Sequence, residues 1–328
     1  MKRKIVIVHN KIQSDAPDVV DVLEQRDLVC AACVQLGYDT ACLDIGDDLK
    51  QDFIRLKNLE PDFVFHLVED VWGKGELVYF GAAILTAENI PYTGNPLEAL
   101  FLTANKVLAK QMMRLHGLPT AEFFSTKELD KLDTSKTYIA KPIREDASIN
   151  IHANFVFKTS EKNKMEQIKQ LPASHFFIEE FIDGREFNIS ILANADEPEV
   201  LPLAEIEFLQ YFDDKPKILD YDTKWNETSA GYNNTVRSFD TLDDKPLLKN
   251  TLIKLCKKTW QVFNLHGYAR IDFRVDANDN IFILEINANP CIAPDSGFVA
   301  AVEHAGYTHE EMIERILNDI NLSRSYEV

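Results

Sequence analysis

Residues 270–288 restrict this chain more than any other stretch. Segments 270–276 and 281–288 alternate polar and apolar residues, the period of a strand, and Ala277-Asn-Asp-Asn280 between them has the composition of a turn. Pairing Asp276 with Ile281 as antiparallel neighbours sets Asp272 opposite Glu285 and Arg270 opposite Asn287. Residues two apart share a face, so these four polar side chains cluster on one side. Ile271, Phe273, Val275, Phe282, Leu284 and Ile286 are then expected on the buried side. Opposed Cβ atoms stand roughly 4.5–5.5 Å apart, close enough for both carboxylates and the amide to share one small site. Two facing carboxylates repel unless a cation or a proton lies between them. An all-oxygen set without His or Cys suits a hard ion such as magnesium, with manganese as an ion of similar donor preference. The competing reading is a solvated face on which Arg270 and Arg274 neutralise the acids, and a bulge would shift the register.

At 328 residues the chain has room for two or three domains. A net charge of −18 argues against a general nucleic-acid binder, which needs a basic surface to neutralise phosphates. No apolar run is long enough to span a membrane. The 5 cysteines, an odd number, point to a reducing compartment, so the expected location is cytoplasmic. Cys30 and Cys33 form a CxxC inside an apparent helix, without a second pair or a zinc-like His spacing, and read as packing residues.

Strands at 4–8, 40–44 and 62–67, alternating with helices at 18–36 and 76–89, predict a doubly wound parallel sheet over residues 1–95. No GxGxxG accompanies it, so a dinucleotide fingerprint is absent. The turn cluster Pro91-Tyr-Thr-Gly-Asn-Pro96 marks a boundary. A helix over 96–115 carrying Lys106 and Lys110 comes next. Strands at 137–142, 151–158, 176–182 and 186–192 follow. Residues 209–240 have little periodicity and read as a functional lid or a disordered loop. A helix at 244–264, the hairpin and a helix at 308–320 complete the chain. The expected fold class is α/β, with an α+β catalytic part, divided as 1–95, 96–184 and 185–328.

Lys141 ends an apolar strand before Pro142 and a polar loop, where its ammonium can meet a phosphate. A surface lysine is the competing reading. Glu179 and Glu180 end another strand, and Glu186 follows a glycine-containing connection. An adenine fits there: backbone groups of Phe181 and Ile182 to the ring, Glu179 to the amino group, Glu186 to the ribose hydroxyls. An exposed acidic strand end is the alternative.

Ile90-Pro-Tyr-Thr-Gly94, Asn105-Lys106, Ala140-Lys-Pro142 with Arg144-Glu145, Glu179-Glu-Phe-Ile182, Gly184-Arg-Glu-Phe187, Arg270-Ile-Asp272 and Leu284-Glu-Ile-Asn287 occur in an order and spacing that resembles the D-alanine–D-alanine ligase family of ATP-grasp enzymes. The resemblance implies an ADP-forming carboxylate–amine ligase with ATP between two small sheets. Lys106 and Lys141 would hold phosphates, and Glu179, Phe181, Ile182 and Glu186 the adenosine. Asp272, Glu285 and Asn287 would hold two magnesium ions, and Arg270 would stabilise charge on the transferred phosphoryl group. Ser148 is the hydroxyl left in the phosphate loop, and Lys224, with Trp225, falls in the substrate-covering loop. The implied partners are small amino acids and a second copy of the chain in a homodimer.

The amino-acid end departs from the family pattern. A Gly-Gly loop followed by an acid that reads the first amino group is replaced by His9-Asn-Lys-Ile-Gln-Ser14, with Glu24 or Asp27 as candidate substitutes. Trp225 stands for a tyrosine and Cys291 for a glycine. These changes favour a ligase for other small amino acids, or for an amino acid and an amine. D-alanyl-D-alanine synthesis, an ATP-binding protein without turnover, and an enzyme that adds amino acids to a protein are the alternatives.

Overall fold

The computed structural model describes residues 2–144 and 151–320. Its first sheet is parallel, in the order β2-β1-β3, from β1 (Lys4–Asn10), β2 (Asp39–Ile45) and β3 (Phe63–Leu67). β1 is apolar at successive positions because helices cover both faces. Ile5, Ile7 and Phe65 pack against Val22, Val29 and Cys33 of α1 (Pro17–Gln35). Val6, Val8 and Leu43 pack against Phe53 and Leu56 of α2 (Leu49–Asn58). Asp48 caps α2 by accepting from the Lys50 and Gln51 N–H groups, a start signal that the apolar periodicity alone does not carry. The helix expected over 76–89 is one 3-10 turn followed by α3 (Tyr79–Ala87).

The single helix expected over 96–115 is two, α4 (Leu97–Thr103) and α5 (Lys106–Leu115). The break comes at Asn105, whose side chain accepts from the Val107 and Leu108 N–H groups and so starts a new helix at Lys106. The central sheet is antiparallel, in the order β4-β7-β5-β6, from β4 (Phe123–Ser125), β5 (Thr137–Pro142), β6 (Val156–Lys158) and β7 (Phe176–Glu180). Helix α6 (Lys162–Gln170) covers it, placing Ile168 with Tyr138 and Phe157 in its core.

The last sheet runs β11-β10-β8-β12-β13, with β9 beside β8. Its strands are β8 (Arg185–Leu192), β9 (Glu199–Val200), β10 (Ala204–Phe208), β11 (Thr235–Ser238), β12 (Tyr268–Val275) and β13 (Ile281–Ala288). The 209–240 stretch is not structureless: it holds α7 (Tyr221–Trp225) as well as β11. Helix α8 (Pro246–Val262) packs Leu252 and Cys256 under this sheet. Helices α9 (Gly297–His304) and α10 (His309–Asp319) join the core of the first sheet on its α1 side. Gly184 joins the central and last sheets. A Cβ there would lie 2.1 Å from the Val275 carbonyl oxygen, so only glycine lets the connection pass the hairpin this closely. Among the described residues no helix is long and apolar enough to cross a membrane.

Candidate active site

The hairpin brings its four polar residues together by a different route from strict alternation. Near the turn, Val275 pairs with Ile281 and Phe273 with Ile283, one residue out from the expected register. A bulge between Asp272 and Phe273 then makes Leu284 the extra residue, and beyond it Asp272 faces Glu285 and Arg270 faces Asn287. The same bulge corrects the expected buried side: Ile283, not Leu284, is buried, and Leu284 turns to line a cleft.

The Arg270 guanidinium donates twice to Asp272, from Nε at 2.8 Å and Nη2 at 2.9 Å, and Asn287 Nδ2 donates to the same carboxylate at 3.0 Å. Burial pushes the Asp272 carboxyl up, against the pull of Arg270. Glu285 is more open, with its side chain 32% exposed and Lys106 Nζ 3.5 Å away. Burial pushes its carboxyl up as well, but Lys106, Lys141, Arg270 and Lys224 together hold it down at about 2. Two carboxylates and an amide, with no nitrogen or sulfur donor, form a set that magnesium fits. The solvated-face reading fails on burial, since Asp272 is 5% exposed and Arg274 is 4% exposed.

Opposite the hairpin, β5 and β7 place Lys141 against Glu179. Lys141 Nζ lies 2.9 Å from one carboxylate oxygen, and Lys110 of α5 ion-pairs with the other. Burial would raise the Glu179 carboxyl, but the two lysines more than offset it, so it sits below its ordinary value. Lys110 also donates to Thr120 Oγ1 at 2.9 Å, and Thr120 donates to the Ile283 carbonyl at 2.9 Å, beside the bulge. Lys110 is thus a site residue that the sequence reading placed only as a helix position. Glu186 pairs with Arg274 at 2.7 Å, and Arg274 also donates to the Gly184 and Lys217 carbonyls.

A cleft of about 510 Å³ between the central and last sheets gathers these groups. Lys141, Glu179, Phe181, Ile182, Glu186, Lys224, Arg270, Asp272, Glu285 and Asn287 all line it. Lys106 reaches its edge through Glu285. Ser148 lies outside the described residues. Lys224 stands over the Trp225 ring at 5.0 Å, and burial followed by repulsion from Arg270 lowers its ammonium. Tyr221, one turn earlier on α7, donates to Asp18 of α1 at 2.6 Å, tying this segment to the first domain.

Of the two candidates for the amino-group reader, Glu24 brings a carboxylate oxygen within 4.8 Å of those of Asp21 and the cleft-lining Asp295. Glu24 and Asp27 are exposed on α1, and Asp27 pairs with Arg26. Asp21 is the half-buried acid on this face: the Cys291 thiol donates to it at 2.9 Å and the Gln25 amide at 3.2 Å. The same Gln25 amide donates to Glu69 at 2.8 Å. A helical projection places Asp21 and Gln25 on one face of α1, which was the available signal.

A family model described as D-ala D-ala ligase C-terminus matches residues 114–318. The chain belongs to this family. It is an ADP-forming, ATP-dependent ligase of the ATP-grasp type, whose reaction uses ATP and magnesium. The D-alanine–D-alanine ligase of Carboxydothermus hydrogenoformans is 28% identical over 312 residues, spanning 90% of this chain and 92% of its own length. An uncharacterised protein of Sinorhizobium fredii is 29% identical over 304 residues, 89% of this chain and 86% of that protein. The crystal structure of the Bacillus anthracis D-alanine–D-alanine ligase complexed with ATP has a TM-score of 0.75 and 18% identity, covering 99% of this chain and 100% of that one. That likeness establishes the ATP-grasp fold, with the parallel sheet as the N-terminal domain.

Proposed function

We propose that this ligase phosphorylates the carboxylate of one small amino acid with ATP and joins the resulting acyl phosphate to the amine of a second substrate, releasing ADP and phosphate. A carboxylate resists attack because oxide is a poor leaving group, and phosphorylation supplies a better one. One observation carries the reading. A single cleft is lined from the central sheet by Lys141, Glu179, Phe181 and Ile182, and from the last sheet by Glu186, Arg270, Asp272, Glu285 and Asn287.

In this reading Phe181, Ile182, Glu186 and Glu179 hold adenosine, with Leu284 as an apolar wall turned to the ring by the bulge. Lys106 and Lys141 hold phosphates as compact positive charges. Arg270 stabilises charge developing on the transferred phosphoryl group, and its two hydrogen bonds to Asp272 fix the guanidinium plane before the reaction. Asp272, Glu285 and Asn287 would hold two magnesium ions, which when bound neutralise phosphate charge. Lys224 and Trp225 cover the reacting end, where exclusion of water protects an acyl phosphate from hydrolysis.

The thiol contact from Cys291 to Asp21 distinguishes the amino-acid end from the family pattern and favours a substrate pair other than two D-alanines. The test is ADP release across a matrix of D- and L-amino-acid pairs and simple amines, with product masses. A dipeptide-forming pair other than D-alanine with itself is the expected result. Turnover confined to D-alanine would assign D-alanyl-D-alanine synthesis instead, and magnesium-dependent ATP binding with no ADP from any pair would overturn ligation.

A further inference from the structure

Arg237 of β11 stands at the end of the cleft that Asp295 and Gly297 also line. The other two arginines of the cleft are each tied to a carboxylate, Arg270 to Asp272 and Arg274 to Glu186. Among the described residues the Arg237 guanidinium makes no ion pair and no hydrogen bond. Its charged neighbours are Arg270 and Asp295, with neither Lys106 nor Lys141 among them. The Arg237 side chain is exposed, and Gly297 lies against its guanidinium. A Cβ at that position would lie 3.5 Å from Nη2 and 3.7 Å from Cζ, yet the glycine backbone is not in the left-handed region. Those are ordinary van der Waals distances. A guanidinium beside Arg270 and without its own carboxylate favours an anion supplied from outside, and its planar fork matches a carboxylate.

We propose that Arg237 binds the carboxylate of the acceptor, so that the second substrate is a free amino acid and not a simple amine or the amino end of a peptide. This rests on the ligase reading. The donor carboxylate must lie where the phosphoryl group arrives, beside Lys141, Arg270 and the oxygen ligands. That leaves the Asp295–Gly297 end for the acceptor, whose ammonium Asp295 can receive while Arg237 takes its carboxylate.

A competition experiment tests this. The enzyme is given ATP, magnesium and equimolar D-alanine and D-alaninamide, then the corresponding L-alanine and glycine pairs. Dipeptide and dipeptide amide are separated by mass. Because each amide can act only as acceptor, the product ratio reads acceptor selection while losses of overall rate cancel. The wild-type protein is expected to favour the free acid, and Arg237→Gln to reduce that ratio by roughly ten- to hundredfold, the loss of a charge-assisted hydrogen-bonded pair. Arg237→Lys, which keeps the charge, is expected to fall between them and serves if the glutamine variant folds poorly. An unchanged ratio in both variants overturns the assignment, as does a wild-type preference for the amide. A higher KM for ATP with an unchanged ratio would place the guanidinium on phosphate and also overturn it. Absence of ADP with every pair in the wild-type protein would remove the ligase reading itself, and this inference with it.

Discussion

Replacing Lys110 by methionine tests the charge arrangement beneath the proposed nucleotide site. Lys110 and Glu179 have side chains only 1% exposed, and Lys141 is 15% exposed on the other carboxylate oxygen. Two ammonium groups thus share one carboxylate, and the local charge is +1. Removing one partner from a buried pair costs about 3–5 kcal/mol when nothing replaces it. Lys141 remains on Glu179, so the lower end, about 3 kcal/mol, is expected for Lys110→Met. The surviving Glu179–Lys141 pair is neutral, and Lys141 loses freedom to turn toward a phosphate. Losing about one charge-assisted hydrogen bond to ATP amounts to roughly a tenfold rise in KM for ATP, with the KM for amino acids little changed. Urea unfolding and steady-state kinetics measure the two effects. The stability difference has a pH signature. Because the folded Glu179 carboxyl lies below its ordinary value, its contribution is present at neutral pH and is lost as pH falls through that lowered value. The variant and the wild type should therefore converge in acid. Lys110→Met combined with Glu179→Leu should regain most of the stability, since an apolar pair can replace a buried ionic one. A lower stability with an unaltered KM for ATP would refute the link from Lys110 through Lys141 to the nucleotide. An unaltered stability would refute the charge arrangement itself.

Glu285→Ala should lower ADP formation by roughly a hundredfold or more with little loss of stability, because the carboxylate is partly exposed and 3.5 Å from its lysine. Asp272→Ala should instead lose about 3 kcal/mol as well as activity, because it strips the half-buried Arg270 of both its hydrogen bonds to the buried carboxylate; denaturant midpoints separate the two variants. Gly184→Ala should destabilise by about 3 kcal/mol or more, since its Cβ would fall 2.1 Å from the Val275 carbonyl oxygen. Burial pushes the Glu69 carboxyl up to about 7 from 4.5, so its neutral form stabilises the fold below the lower value and that contribution is lost as pH rises through 7. Glu69→Gln should therefore gain roughly 2–3 kcal/mol at pH 8 and nothing near pH 4.5, read from urea midpoints at the two pH values.

The polar face of the hairpin was legible because four residues at strand period leave few other arrangements, but the route to it was not. Strict alternation places Leu284 in the core and Ile283 outside, and both are apolar, so no pattern distinguishes them. The bulge is set by tertiary contacts: the Ile283 N–H donates to the Pro119 carbonyl and its own carbonyl accepts from Thr120. Those partners lie over 150 residues away in sequence, beyond the reach of any local period. Lys110 was hidden for a related reason. A lysine on a helix reads as a solvent contact, and it is charged and buried here only because Glu179 arrives from a strand 69 positions later. The break at Asn105 was legible in principle, since an asparagine directly before Lys106 is a good cap, but the apolar run continues across it and a period count bridges the gap. Each miss arises where a local pattern is continuous and a distant partner decides. Asp21 follows the same logic, since its partner, the Cys291 thiol, lies 270 positions later. The proposed ATP half, whose candidate residues sit on strand ends and one helix start, is therefore read from spacing. The proposed substrate half brings together α1, the α7–β11 stretch and the turn after β13, so a specificity set there would follow from contacts among those segments and from no single motif.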